Sequence, residues 1–109
     1  MRQAAAGPVG YAPGMRTLEL AIVNRSGLHA RPANLFMESA ARFTARITVE
    51  NLDRVSRPVD AKSILMLLTA GVQCGNRIRL TADGADEEAA LASLGALIEA
   101  GLGEGAEAD

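Results

Sequence analysis

Leu18, Leu20 and Ile22 alternate with Glu19, Ala21 and Val23, a period of two that predicts a strand over residues 17–23 with three large aliphatics on one face. Residues 24–27 are turn formers. Beyond them Ala33, Phe36, Met37, Ala40 and Ala41 recur at helical spacing, predicting a first helix over residues 30–43. Pro32 falls in its first turn, where a missing N–H costs no hydrogen bond and the fixed φ favours helical entry. Ala45, Ile47 and Val49 alternate with Arg46, Thr48 and Glu50, giving a strand with one buried and one solvated face. Residues 51–60 read as a turn and a short strand anchored by Val55 and Val59, with Pro58 placing that strand at an edge. Residues 63–70 form a short helix with Ser63 as N-cap and Gly71 as stop. In residues 77–81, Ile78 and Leu80 point inward while Arg77, Arg79 and Thr81 point outward. Asp86, Glu87 and Glu88 then precede Ala90, Leu91, Leu94, Leu97 and Ile98, so the longest helix carries acids at its positive end and an apolar stripe behind them. Gly95 within it costs about 1 kcal/mol relative to Ala, a hint of close packing. Gly101 and Gly103 end the helix.

The resulting order, β-α-β-β-α-β-α, predicts an α+β fold: a four-stranded antiparallel sheet covered on one face by three helices. Its first six elements match the split βαβ or ferredoxin-like pattern, which leaves activity undecided. One domain is expected over residues 17–103, between a disordered leader (1–16) rich in Ala, Gly and Pro and a disordered acidic tail (104–109). The second helix is unusual. Ile64, Leu65, Met66, Leu67 and Leu68 run consecutively, and at about 100° per residue they cannot all face one core, so either other elements enclose the helix on all sides or, the reading favoured in a one-domain chain of this length, it offers an apolar docking patch.

Composition narrows the function. With 11 basic and 13 acidic residues and a net charge of -2, the chain has no basic field for nucleic acid or an anionic membrane. It has no Trp, one Tyr and two Phe, too few aromatics for base stacking. No apolar run is long enough to span a bilayer or serve as a secretory signal, so a cytoplasmic protein is expected. Cys74 is the single cysteine, and next to Gly75 in a turn it reads as an ordinary thiol.

The candidate chemistry centres on the single histidine, in Ser26-Gly27-Leu28-His29-Ala30-Arg31-Pro32-Ala33. A lone histidine is ordinarily a surface or structural residue. His29, however, stands where a glycine turn meets a helix start, a place where backbone N–H groups lack intrahelical partners and attract an anion. An imidazole nucleophile there, with the guanidinium of Arg31 beside it, suits a transient phosphoryl group. One histidine and one distant cysteine do not supply a metal site, and no other cofactor is implied. Nothing marks a nucleophilic serine.

Gly27-Leu28-His29-Ala30-Arg31-Pro32-Ala33 resembles the phosphorylation-site signature of HPr, the histidine-containing phosphocarrier family of the phosphoenolpyruvate-dependent sugar phosphotransferase system. Ala61-Lys62-Ser63-Ile64 followed by Gly71, and Gly84-Ala85-Asp86-Glu87-Glu88-Ala89, resemble that family's second and third helix regions in the same order. The resemblance implies an open-faced β-sandwich in which Enzyme I phosphorylates His29 and a sugar-specific IIA domain receives the phosphate. It implies phosphate on the δ1 nitrogen over the amides of Ala30 and Arg31, with Pro32 ending the donor row. It assigns Ile64, Leu65 and Leu68 to partner docking and turns Leu67 inward. It aligns Ser63 with a serine modified by an HPr kinase/phosphorylase, although a plain N-cap role needs no kinase. A carrier that forms a phosphohistidine, rather than a stand-alone enzyme, is expected, acting as a monomer. Three features depart from the family pattern: a longer 51–60 segment, an extended leader, and Glu38 where basic residues are common. A nitrogen-related or dihydroxyacetone-kinase-linked branch, or a ferredoxin-like binding module, are the alternatives.

Overall fold

A computed structural model describes residues 15–104, and its elements follow the predicted order: β1 (Arg16–Ala21), α1 (Ala30–Ala40), β2 (Arg46–Asn51), β3 (Val59–Asp60), α2 (Ile64–Thr69), β4 (Arg77–Asp83) and α3 (Glu87–Glu99). The expected leader lies outside the described residues up to residue 14, and Arg16 already belongs to β1. The expected tail lies outside them from residue 105, while Glu104 is hydrogen-bonded to Ser26. The sheet is antiparallel with strand order β1-β4-β2-β3. Because β4 separates β1 from β2, and β2 separates β3 from β4, helices α1 and α2 each close a split β-α-β unit. The two units interleave.

The strand periodicity divides the sheet into two chemically distinct faces. Ile47, Val49, Ile78, Leu80 and Ala82 are buried under the helices, with Ile22 continuing the row past β1. On the open face Arg79 lies opposite Glu19 of β1 and Glu50 of β2, and its guanidinium reaches them at 2.9 and 3.2 Å. Hydrogen bonding and charge from Glu19 push the Arg79 pKa up. An exposed network of this kind adds little stability but keeps the outer face polar.

Each helix buries the stripe its spacing dictates. α1 turns Pro32, Ala33, Phe36 and Ala40 inward, and it ends there, leaving Ala41 exposed as C-cap rather than part of the stripe. α3 buries Ala90, Leu91, Leu94 and Ile98, and a Cβ at Gly95 would come within 2.9 Å of Leu18 Cδ2, the close packing its glycine implied. The acids at its start have specific partners. Asp86 accepts from the amides of Thr44 and Ala45 at 2.9 and 2.8 Å, bonds that hold its carboxyl below the usual range, and Glu87 accepts from the Gly84 amide and pairs with Arg16 at 3.5 Å. One anchor is corrected: Val55 is fully exposed, because the 52–57 loop is held by polar groups instead. The Asn51 amide bonds the carbonyl of Ala70, and Asp53 accepts from the Arg77 amide. No helix of the described residues is long and apolar enough to cross a membrane.

Candidate functional site

The turn before α1 is shaped by contacts that leave little choice to its backbone. Gly27 has φ +61, and a Cβ there would run into the Val72 carbonyl oxygen and come within 2.8 Å of Gln73 Cα. Only glycine allows both the left-handed conformation and this approach. The next residue, Leu28, is buried, and its amide donates to the same Val72 oxygen at 3.0 Å. Asn24 closes the other side, its amide group donating to Gly27 O at 2.9 Å. The chain therefore leaves the core at Leu28 with its direction set.

His29 emerges from this turn as the N-cap of α1, in extended conformation (φ -131, ψ 156), exposed, with no side-chain capping bond. Its ring is free for other chemistry. Ala30 follows with φ +48, a left-handed conformation that costs a non-glycine residue about 1 kcal/mol or more. The Ala30 and Arg31 amides donate to no acceptor among the described residues, Pro32 has no N–H, and Ala33 N–H returns to His29 O at 3.4 Å. Two orphan donors thus stand beside an exposed imidazole at the positive end of a helix, an arrangement that attracts an anion. The Arg31 side chain is exposed and forms no ion pair among the described residues, so its guanidinium is available to the same anion.

The short helix α2 lies against α1. It buries only Leu67 and exposes Ile64, Leu65, Met66 and Leu68 at 36, 71, 41 and 39%. Met66 joins the three residues singled out from the sequence. The backbone connects this patch to the histidine turn, because Val72, just past Gly71, is the residue that grips Gly27 and Leu28. Ser63 caps α2, its hydroxyl accepting from the Met66 amide at 3.2 Å. It stands at the helix end away from Val72, about 9 Å along the axis at the α-helical rise. Cys74 is exposed, with its thiol 3.7 Å from Val23 O.

Glu104 is a part of the site that no local pattern in the sequence singles out. Past α3 the chain passes through Gly101, Leu102 and Gly103, all with positive φ, and doubles back toward the histidine turn. There one carboxylate oxygen of Glu104 accepts from the Ser26 amide and the Asn24 side chain at 3.1 Å each, and the other accepts from the Ser26 hydroxyl at 2.7 Å. The Ser26 hydroxyl and amide lead the donors that hold its carboxyl below the usual carboxylate range. A partner 78 residues away leaves no local signal; Gly101 and Gly103 mark only a helix end.

Known proteins share this arrangement of chain. The family model described as "PTS HPr component phosphorylation site" matches residues 17–100. The Multiphosphoryl transfer protein of Escherichia coli O157:H7 is 44% identical over 88 residues, covering 81% of this chain but 23% of that protein. The chain therefore spans less than a quarter of that relative's length. Phosphocarrier protein HPr of Treponema pallidum (strain Nichols) is 38% identical over 78 residues, 72% of this chain and 85% of that protein. The crystal structure of HPr-C-His from Thermoanaerobacter tengcongensis has a TM-score of 0.75 at 42% identity, covering 81% of this chain and 96% of that one. Since the match runs from the first strand through the last helix and carries the histidine turn within it, the chain belongs to the PTS HPr family.

Proposed function

We propose that the protein carries phosphate for the phosphoenolpyruvate-dependent phosphotransferase system, taking it from phosphorylated Enzyme I onto His29 and passing it to sugar-specific IIA domains. The observation that carries this reading is the exposed imidazole at the N-cap beside two amides without protein partners. The Nδ1 lone pair attacks phosphorus, the N–P bond forms as the bond to the donor group breaks, and the electron pair leaves with the donor. The phosphoryl oxygens then rest on the amides of Ala30 and Arg31, with the Arg31 guanidinium pairing the remaining charge. The same geometry run backwards releases the group to the next acceptor. Holding phosphate by two neutral donors and one exposed cation suits transfer, because a deeper well would trap it.

Ile64, Leu65 and Leu68 form the docking surface for both donor and acceptor, with Met66 at its margin. Exposed aliphatics on a helix fastened to the histidine turn through Val72 support that role. Ser63 is the regulatory position. A phosphate on its hydroxyl replaces the capping acceptor with a stronger one at the helix start and places negative charge at the rim of the docking surface, which slows transfer from phosphorylated donors by repulsion.

Purified protein incubated with phosphoenolpyruvate and Enzyme I is expected to gain one acid-labile phosphate, and His29→Ala none. Label retained by His29→Ala would sink the assignment. With an HPr kinase/phosphorylase and ATP, wild type should gain an acid-stable phosphate that Ser63→Ala lacks; no such product in the wild type would refute the regulatory role.

A further inference from the structure

The segment beyond α3 is constructed to deliver a carboxylate to the histidine turn. Leu102 takes φ +50, unfavourable for a non-glycine side chain, yet it is wholly buried, so packing holds the chain in that conformation. Gly103 follows at φ +84 with its Cα against Leu35 of α1, where a Cβ would meet Leu35 Cδ2 at 3.3 Å. The Glu104 amide donates to Gly101 O at 2.8 Å, completing the reversal. The carboxylate then receives three hydrogen bonds, all from the two residues Asn24 and Ser26.

Those residues govern where the imidazole stands. Asn24 spans Glu104 and Gly27 with one amide nitrogen, at 3.1 and 2.9 Å, and Gly27 is two residues from His29. The imidazole itself has no tether, since His29 makes no capping bond. Its position relative to the Ala30 and Arg31 amides therefore depends on how the turn is fastened. Val72 fastens it from the α2 side and Glu104 from the α3 side. The left-handed Ala30 requires such support, because a loosened turn would relax toward an ordinary helical conformation there.

We infer that Glu104 is a positioning residue for phosphoryl transfer, locking Asn24 and Ser26 so that His29 is presented correctly beside the Ala30 and Arg31 amides. This rests on His29 as the phosphate carrier. Glu104 bonds to Asn24, Ser26 and Gly101 and to no residue of α2, so its loss should act on the chemical step rather than on partner affinity.

The test is phosphoryl uptake from Enzyme I at several carrier concentrations, together with amide NMR of the unphosphorylated protein. Glu104→Ala is expected to lower kcat about tenfold with KM within about twofold, a modest part of what ångström-scale misplacement of a reacting group costs. Glu104→Gln, whose carbonyl still accepts from Ser26 N and Asn24, should recover most of the rate. Ser26→Ala, which removes one bond and leaves the fold intact, should lose about threefold. A kcat within twofold of wild type in Glu104→Ala, or in Ser26→Ala should the former not fold, would overturn the inference; so would a loss expressed in KM alone. Shifted Ala30 and Arg31 amide signals in the variant are expected, and unchanged ones count against positioning. Absence of label on wild type would refute the carrier reading and with it any role in transfer, whereas wild type that takes up label with unchanged Ala30 and Arg31 signals in Glu104→Ala would refute the positioning role alone.

Discussion

Gly27→Ala isolates the contact that sets the histidine turn. At φ +61 an alanine meets the left-handed penalty of about 1–2 kcal/mol. Its methyl would also collide with the Val72 carbonyl and approach Gln73 Cα, both backbone atoms that cannot swing aside. Forcing them apart should cost about 1–3 kcal/mol more, the range for overpacked sites. The expected loss is thus about 2–5 kcal/mol, a large share of the roughly 5–15 kcal/mol that holds a domain of this size. Gly75→Ala is the matched control: φ is +93, but a Cβ there meets nothing within 4 Å, so only the conformational term of about 1–2 kcal/mol applies. Urea unfolding of both variants, with unchanged m-values, gives the comparison directly. In thermal melts each kcal/mol of difference should appear as about 4–8 °C. Should Gly27→Ala lose no more than Gly75→Ala, the close approach of the turn to Val72 does not contribute as described. Folded Gly27→Ala should also take up phosphate slowly, since displacing the turn displaces His29.

Other elements make equally definite statements. Leu67→Ala should lose about 2–5 kcal/mol in urea unfolding, whereas Leu65→Ala, exposed on the same helix, should stay within about 0.5 kcal/mol of wild type and instead raise the KM for Enzyme I. Gly95→Ala sets a helix-propensity gain of about 1 kcal/mol against contact with Leu18 Cδ2, the movable end of a half-buried side chain, so its melting temperature should remain close to wild type. The Asp86 carboxyl is held below its ordinary range by the Thr44 and Ala45 amides, so the unfolded chain binds its proton first as pH falls. Stability from this group is present above the ordinary carboxylate range and lost as pH drops toward the lowered value. Asp86→Asn should therefore be less stable than wild type at pH 7, with the gap closing in acid; a gap independent of pH would refute this.

Much of this protein is legible along the chain because its elements are amphipathic. The alternation at Ala45, Ile47 and Val49, the stripe through Phe36 and Leu94, and the cap at Ser63 are local consequences of period and hydrogen bonding, and each appears where the spacing places it. At the histidine turn the signal is local too: glycine, histidine and proline in succession mark a helix start, whose first N–H groups lack intrahelical partners. Val55 misled for the converse reason. A single aliphatic in a loop carries no period, and the loop is held by Asn51 and Asp53 instead.

What periodicity cannot encode is which elements become neighbours. It says that a strand has a buried face but not which strand lies beside it; β4 stands between β1 and β2 through ladders that join residues far apart in the chain. The same holds at the site. The sequence by itself set His29, Ala30 and Arg31 side by side at a helix start, because they are consecutive. Only the tertiary structure brought Val72 and Glu104 against that turn from opposite sides, since hydrogen bonds between residues 44 and 78 positions apart depend on the folded path of the whole chain.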